Sequence, residues 1–92
     1  MTKYTVKFTG KFKKDYKLAI KQKKNIELLD KVIAVLAKGE ELDEKYKDHD
    51  LKGNWKGHRE CHILPDWLLI YRYDENVLVL TLTRLGSHGE LF

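Results

Sequence analysis

Residues 57–85, "GHRECHILPDWLLIYRYDENVLVLTLTRL", decide the fold. Three runs within them read as strands: "GHRECHI", "WLLIYRY" and "VLVLTLTRL". "LPD" joins the first pair, with Pro65 set for a turn, and "DEN" joins the second. Connections this short between consecutive strands imply antiparallel hairpins. The last two runs are apolar on both faces, which puts their strands centrally in a sheet.

Upstream lies an acidic linker, "EELDEKYKDHD", and then "NWK" flanked by Gly53 and Gly57, which hold that region in loop or bulge conformations. Before the linker come two amphipathic segments. In "GKFKKDYKLAIKQ" the residues Phe12, Tyr16, Ala19 and Ile20 recur at helical spacing, with the lysines largely on the other face. Asn25 can cap a second helix in which Ile26, Leu29, Ile33 and Leu36 recur, and Gly39 after Lys38 is a plausible stop. "KYTVKF" alternates polar and apolar residues as a first strand does. "GSHGELF" closes the chain. No internal repeat or low-complexity segment is present. The expected layout is β-α-α-β-β-β, an α+β fold in one domain over residues 1–92. A helical hairpin lies on one face of a curved four-stranded antiparallel sheet.

Composition agrees with one folded domain. Ninety-two residues support one core, and 42% hydrophobic with 35% charged residues is a globular balance. The single cysteine cannot form an internal disulfide. "MTKYTVKFTGKFKK" has no apolar run of signal-peptide length, and no segment approaches the roughly 20 apolar residues that span a bilayer. The expected location is the cytoplasm, with no membrane partner. The net charge of +4 is unevenly spread: residues 1–38 carry eleven lysines against Asp15, Glu27 and Asp30. A surface basic on one side suits a polyanion such as RNA or an acidic protein. A solubilising lysine face explains it equally well.

Three of the four histidines fall between His49 and His62, and three readings compete for them. For metal, "HRECH" offers His58, Cys61 and His62, but on a strand His58 and His62 share one face and Cys61 points to the other. A zinc site usually needs three or four protein ligands together, so no metal and no other cofactor is expected. For packing, His58 and Trp55 fit ordinary half-buried roles and Cys61 fits a small buried apolar one. For proton transfer, RNA cleavage without metal needs one group to take the ribose 2′-hydroxyl proton, another to protonate the leaving 5′-oxygen, and a cation for the phosphate charge. His49, His62, His88 and Arg84, with Asp66 to orient or tune them, supply all of these once a fold brings His88 near.

The same residues carry a resemblance. "YKDHDLKGNWKGHRECHILPDWLLIYRY", followed by "TRLGSHGELF", resembles the YafQ branch of the RelE superfamily of bacterial toxins. The shared pattern is Y-K-D-H, then L-x-G-x-W-K-G, then H-x-x-P-D-W-L-L-I-Y, then R-x-G-[ST]-H-x-x-L-F. It is dense over residues 46–92, and "KDYKLA" is also similar. The resemblance implies the toxin of a type II toxin–antitoxin pair, an endoribonuclease that cuts mRNA on the ribosome. It implies catalytic positions at His49, His62, Asp66, Arg84 and His88, with Trp67 and Phe92 beside them as RNA contacts. His49 would be the base and His88 the acid. Arg84 would stabilise the phosphate charge, while His62 and Asp66 position substrate or tune protonation. The lysines of the first helix, Lys11, Lys14, Lys17 and Lys21, become a contact surface for ribosomal RNA, antitoxin or both. The free protein is expected as a monomer and the antitoxin complex as a hetero-oligomer. Two other classes remain open: a same-fold toxin that acts by binding DNA gyrase, and a non-catalytic RNA- or ribosome-binding module. Dispensable histidines would mark either.

Overall fold

The hairpins expected between residues 57 and 85 form the centre of the molecule. In the computed structural model, which describes residues 2–92, the strands are β1 (Thr5–Phe8), β2 (His49–Asp50), β3 (Arg59–Leu64), β4 (Trp67–Asp74) and β5 (Val79–Gly86). The helices are α1 (Gly10–Lys21), α2 (Ile26–Ala37) and a short α3 (His88–Leu91). Strand order across the sheet is β1-β5-β4-β3-β2, so β4 lies at the centre. Bulges between His62 and Leu64 and between Ile70 and Tyr71 break the pairing on either side of it. Bulges of this kind bend a sheet.

Two features of the sheet differ from expectation. It has five strands, because His49–Asp50 pairs antiparallel with Arg59 and Glu60 inside what reads as an acidic linker. A two-residue strand leaves no periodicity to read. The sheet is also mixed, since β1 runs parallel to β5. Short connections dictate antiparallel pairing only for β3, β4 and β5; the two helices after β1 are long enough to permit a parallel return. The β4–β5 turn is also longer than "DEN": Val77 and Leu78 stay in it, and β5 begins at Val79.

Local signals set the helix ends. The Thr9 side chain accepts the Phe12 N–H at the start of α1, and the Asn25 side chain accepts the Leu28 N–H at the start of α2. Gly39, at φ +75°, follows α2 as expected; its N–H donates to the Leu36 carbonyl. A Cβ there would meet Lys3 and Tyr4 side-chain atoms at 3.1 Å, so only glycine fits both the backbone and the space.

Both helices cover one face of the sheet. Phe12, Ala19, Leu29, Val32 and Leu36 bury against Cys61, Ile63, Leu69, Tyr71, Leu80 and Leu82. Burying side chains of this size stabilises by about 1.5–3 kcal/mol each relative to exposure. Ile20 departs from its expected place and is 52% exposed. It lies off the Phe12–Tyr16–Ala19 stripe that α1 turns to the sheet. The opposite face keeps only a small apolar cluster, in which Leu68, Ile70 and Leu91 pack with Leu51 and Trp55. Polar chemistry collects on that face.

Candidate functional site

Strand pairing aligns residues across the face opposite the helices. His49 pairs with Glu60, Glu60 with Ile70 and Ile70 with Arg84, giving one row across four strands. His62, Leu68 and Gly86 make the next row. Directly opposed residues share a face, so His49, Glu60, His62 and Arg84 are brought to one surface from three separated stretches of sequence.

His49 is aimed by the loop before it. Lys47 adopts φ +50°, an uncommon conformation for a residue with a Cβ. Its carbonyl oxygen lies 2.7 Å from His49 Nδ1. A carbonyl only accepts, so Nδ1 carries the proton and Nε2 is the free ring nitrogen. Between these residues Asp48 turns to the core side and anchors the loop. It accepts from the Tyr71 hydroxyl and from Arg59 Nε and Nη2, at 3.3 and 3.2 Å. Burial, and then the Asp48 hydrogen bond, push the Tyr71 hydroxyl well above its ordinary range. Burial lowers the Arg59 pKa, but bonds from Asp48 and Tyr71 outweigh it and raise the result.

His62 repeats the arrangement from β3. Its Nδ1 lies 3.3 Å from the Pro65 carbonyl oxygen. The Nε2 atoms of both rings lie 3.5 Å from Glu60 Oε1, and the ring centroids are 6.2 Å apart. Glu60 is only 6% exposed, the one buried charged side chain among the described residues. Two imidazoles therefore converge on one buried carboxylate. Strand periodicity carried this signal, because Glu60 and His62 are two apart; the carboxylate was nevertheless absent from the expected set.

His88 and Phe92 come from the C-terminal turn. Ser87 and Glu90 form a reciprocal capping box at the start of α3. Asp66 Oδ1 accepts the His88 backbone N–H at 3.1 Å. The Asp66 carboxylate thus reaches the backbone of His88 and ties the β3–β4 turn to α3. The exposed His88 ring lies 5.1 Å from Phe92, itself 6.3 Å from Trp55. Trp55 meets His58 edge-on at 5.4 Å, in keeping with a packing role for both.

Arg84 is not free. Its Nε donates to Asp15 Oδ2 at 2.8 Å and its Nη2 to Asp15 Oδ1 at 3.2 Å. Asp15 also accepts the Leu85 N–H at 3.0 Å, where α1 runs beside β5. The Asp15 bond raises the Arg84 pKa further. The cation expected at a phosphate is thus paired with an anion supplied by α1, a partner that sequence separation hides.

Trp67 requires a correction. It is 2% exposed and belongs to the helix-side core, so it cannot stack on a base. Its neighbours in "PDWLLI" are turn and strand, and alternation from the turn sends its ring inward. Phe92, by contrast, is 52% exposed. Lys11, Lys14, Lys17 and Lys21 are all exposed on α1. Lys14, Lys17 and Lys21 follow one strip at helical spacing. Lys13 and Lys17 line a groove of about 480 Å³ with Val6, Phe8, Phe12, Tyr16, Asp30, Ile33 and Leu82. Cys61 is buried on the helix side, its thiol pushed up by burial, so it cannot join His49 and His62 as a ligand. Among the described residues, no group of three or more His, Cys, Asp or Glu is arranged to hold a metal ion.

Comparison with known proteins places this geometry. Residues 4–92 match the family described as the bacterial toxin of type II toxin-antitoxin system, YafQ. The mRNA interferase toxin YafQ of Escherichia coli K12 is 38% identical, covering 100% of this chain and 99% of its own. The E. coli DinJ–YafQ toxin–antitoxin complex contains a chain 37% identical, with a TM-score of 0.89 over 98% of both chains. A metal-bound toxin from Helicobacter pylori is 47% identical, with a TM-score of 0.92 over 100% of both.

Proposed function

The chain belongs to the YafQ family of bacterial toxins of type II toxin–antitoxin systems, and from that premise we propose that it cuts mRNA on the ribosome by attack of the RNA's own 2′-hydroxyl. One observation carries the mechanism: both His49 and His62 present an Nε2 whose ring partner Nδ1 is held by a backbone carbonyl. His49 Nε2 takes the 2′-hydroxyl proton. The imidazolium so formed faces Glu60 at 3.5 Å, which compensates its charge. The 2′-oxygen forms a bond to phosphorus as the bond to the 5′-oxygen breaks, and His88 protonates that leaving oxygen. Asp66 sets the position of His88 through α3. Arg84 meets the phosphate by exchanging Asp15 for another anion. Phe92 offers its exposed ring to a base.

The partner is a cognate antitoxin, as DinJ is for the E. coli relative. The apolar groove bordered by Lys13 and Lys17 suits an acidic amphipathic segment that orders on binding. The remaining α1 lysines suit ribosomal RNA. No helix among the described residues is long and apolar enough to cross a membrane, and we place the protein in the cytoplasm as a free monomer.

Product ends test the chemistry. Ribosome-bound mRNA should yield a 2′,3′-cyclic phosphate or its 3′-phosphate product upstream, and a 5′-hydroxyl downstream. A 2′-deoxy nucleotide at the cut should block the reaction. Chelators should leave it unchanged once the ribosome's magnesium need is met. Products bearing a 5′-phosphate would instead require an activated water, the role a metal of the kind bound by the H. pylori toxin could fill. Arg84→Ala should relieve growth arrest in a folded protein; undiminished toxicity would point to a toxin that acts by binding.

A further inference from the structure

We propose that Trp55 is a positioning residue for the leaving-group acid: from the tip of the β2–β3 hairpin it supports the C-terminal turn and so sets where His88 stands. The inference rests on the cleavage reading above, in which His88 protonates the 5′-oxygen, and adds the residue that places it. A helix of one turn does not hold itself together in water, so α3 stands where its contacts put it. The capping box and the Asp66 bond to the His88 N–H fix its backbone start. Its end is fixed by packing: Leu91 is buried against Leu68 and Ile70, with Leu51 and Trp55 beside it. The Phe92 ring meets Trp55 at 6.3 Å with the planes 70° apart, the edge-to-face arrangement that aromatic pairs favour. The same Phe92 ring lies 5.1 Å from the His88 imidazole. His88 is therefore the third ring of a series that starts at Trp55.

The loop around Trp55 is built to hold the indole still. It closes on itself: the Leu51 N–H donates to the His58 carbonyl at 2.9 Å, and the His58 N–H donates to the Trp55 carbonyl at 3.0 Å. Gly53 and Gly57, at φ +65° and +89°, supply the left-handed backbone on either side of the ring. A Cβ at either glycine would meet nothing within 4 Å, so both serve the path of the chain rather than close packing. The indole is then held between His58 on its own loop and Phe92 on the C-terminal turn. The loop springs directly from β2 and β3, whose pairing puts His49 opposite Glu60. One hairpin thus aims the base from its strand and supports the acid from its tip. The motif "LKGNWKG" gains a role by this account, since its glycines bend the chain and its tryptophan registers the far end of the sequence to His49.

The test is single-turnover cleavage of ribosome-bound mRNA in two forms, one with the natural 5′-oxygen at the cut and one with sulfur in its place. Thiols are far stronger acids than alcohols, so the sulfur departs as a thiolate and needs no proton from the enzyme. Full-chain Trp55→Ala, Trp55→Leu and Trp55→Phe are compared with His88→Ala and His49→Ala, and thermal unfolding shows which variants fold. On the oxygen substrate, folded Trp55→Ala and Trp55→Leu should cut about 10²-fold slower, the cost of a displaced catalytic group. On the sulfur substrate both should return to near the wild-type rate. Trp55→Phe, which keeps a ring against Phe92, should hold most of the wild-type rate on both. His88→Ala should recover with sulfur in the same way, and His49→Ala should not. Equal losses on both substrates would make Trp55 a support of the whole site and overturn the inference, as would folded Trp55→Leu that cuts the oxygen substrate normally. A Trp55→Leu protein that does not fold overturns it too, by making the indole a core residue. Recovery in His88→Ala but not in the Trp55 variants removes the positioning role alone. No recovery in His88→Ala means that His88 is not the acid, and the cleavage reading fails with the inference.

Discussion

The two faces of the sheet share β3, β4 and β5, with β2 adding His49 to one of them, and do opposite work. Under α1 and α2 the face is continuous and apolar, with Leu69, Tyr71, Leu80 and Leu82 closed against both helices. On the other face Leu68 and Ile70 have only Leu91, Leu51 and Trp55 above them, and His49, Glu60, His62 and Arg84 share the surface. One face holds the fold together, so the other can leave side chains exposed and a carboxylate buried between imidazoles. Arg59 and Asp48 connect the two. They are anchored from the core side by Tyr71, and they hold the loop that aims His49.

The sharpest way to break this division is to substitute one residue on each face. His49→Ala should slow single-turnover cleavage by about 10²–10⁴-fold, the range for one acid or base, while the thermal midpoint barely moves. Leu69→Ala should instead lose about 2–5 kcal/mol of stability by leaving a cavity, with cleavage by the remaining folded protein little changed. Chemical unfolding and cleavage measured on the same samples give both numbers. A His49→Ala protein that unfolds as readily as Leu69→Ala would end the separation.

A smaller effect is expected at Asp15, which lies between core and site. Asp15→Asn removes the charge that holds Arg84 and weakens the bond to the Leu85 N–H, a loss of about 1–3 kcal/mol for a partly buried pair. If Arg84 trades Asp15 for phosphate, cleavage at saturating substrate should not slow. Slower cleavage in folded Asp15→Asn would show that Asp15 positions Arg84 for the phosphate.

The smallest effect is confined to alkaline pH and to the helix face. Burial pushes the Tyr73 hydroxyl from 10.0 up to about 12, and its O–H donates to the Leu36 carbonyl at 2.8 Å. The folded state then keeps a proton that the unfolded chain releases. Stability from this group is complete below pH 10 and falls as pH rises toward 12. Denaturant unfolding across that window should slope downward, and Tyr73→Phe should flatten it. An unchanged slope in Tyr73→Phe would assign the alkaline loss to Tyr71, whose hydroxyl is raised in the same sense.

Sequence by itself determined what short-range physics controls. Pro65 and Asp66 between two apolar runs can only make a hairpin, Asn25 and Gly39 bracket α2, and the continuous apolar run Trp67–Tyr71 belongs to the central strand. The spaced pattern of His49, His62, Asp66, Arg84 and His88 also named the family. What partners those side chains was decided only by tertiary structure. Asp15 lies 69 residues from Arg84, and Asp66 reaches the backbone of His88 across 22. Pairing β2 with β3 puts His49 opposite Glu60. Composition and period describe one segment at a time. A row of side chains across four strands depends on how segments pair, and β1 joining β5 in parallel shows that chain order does not dictate that pairing. Trp67 marks the same boundary: its place in the motif suggested an RNA contact, and the direction of its strand residue put it in the core.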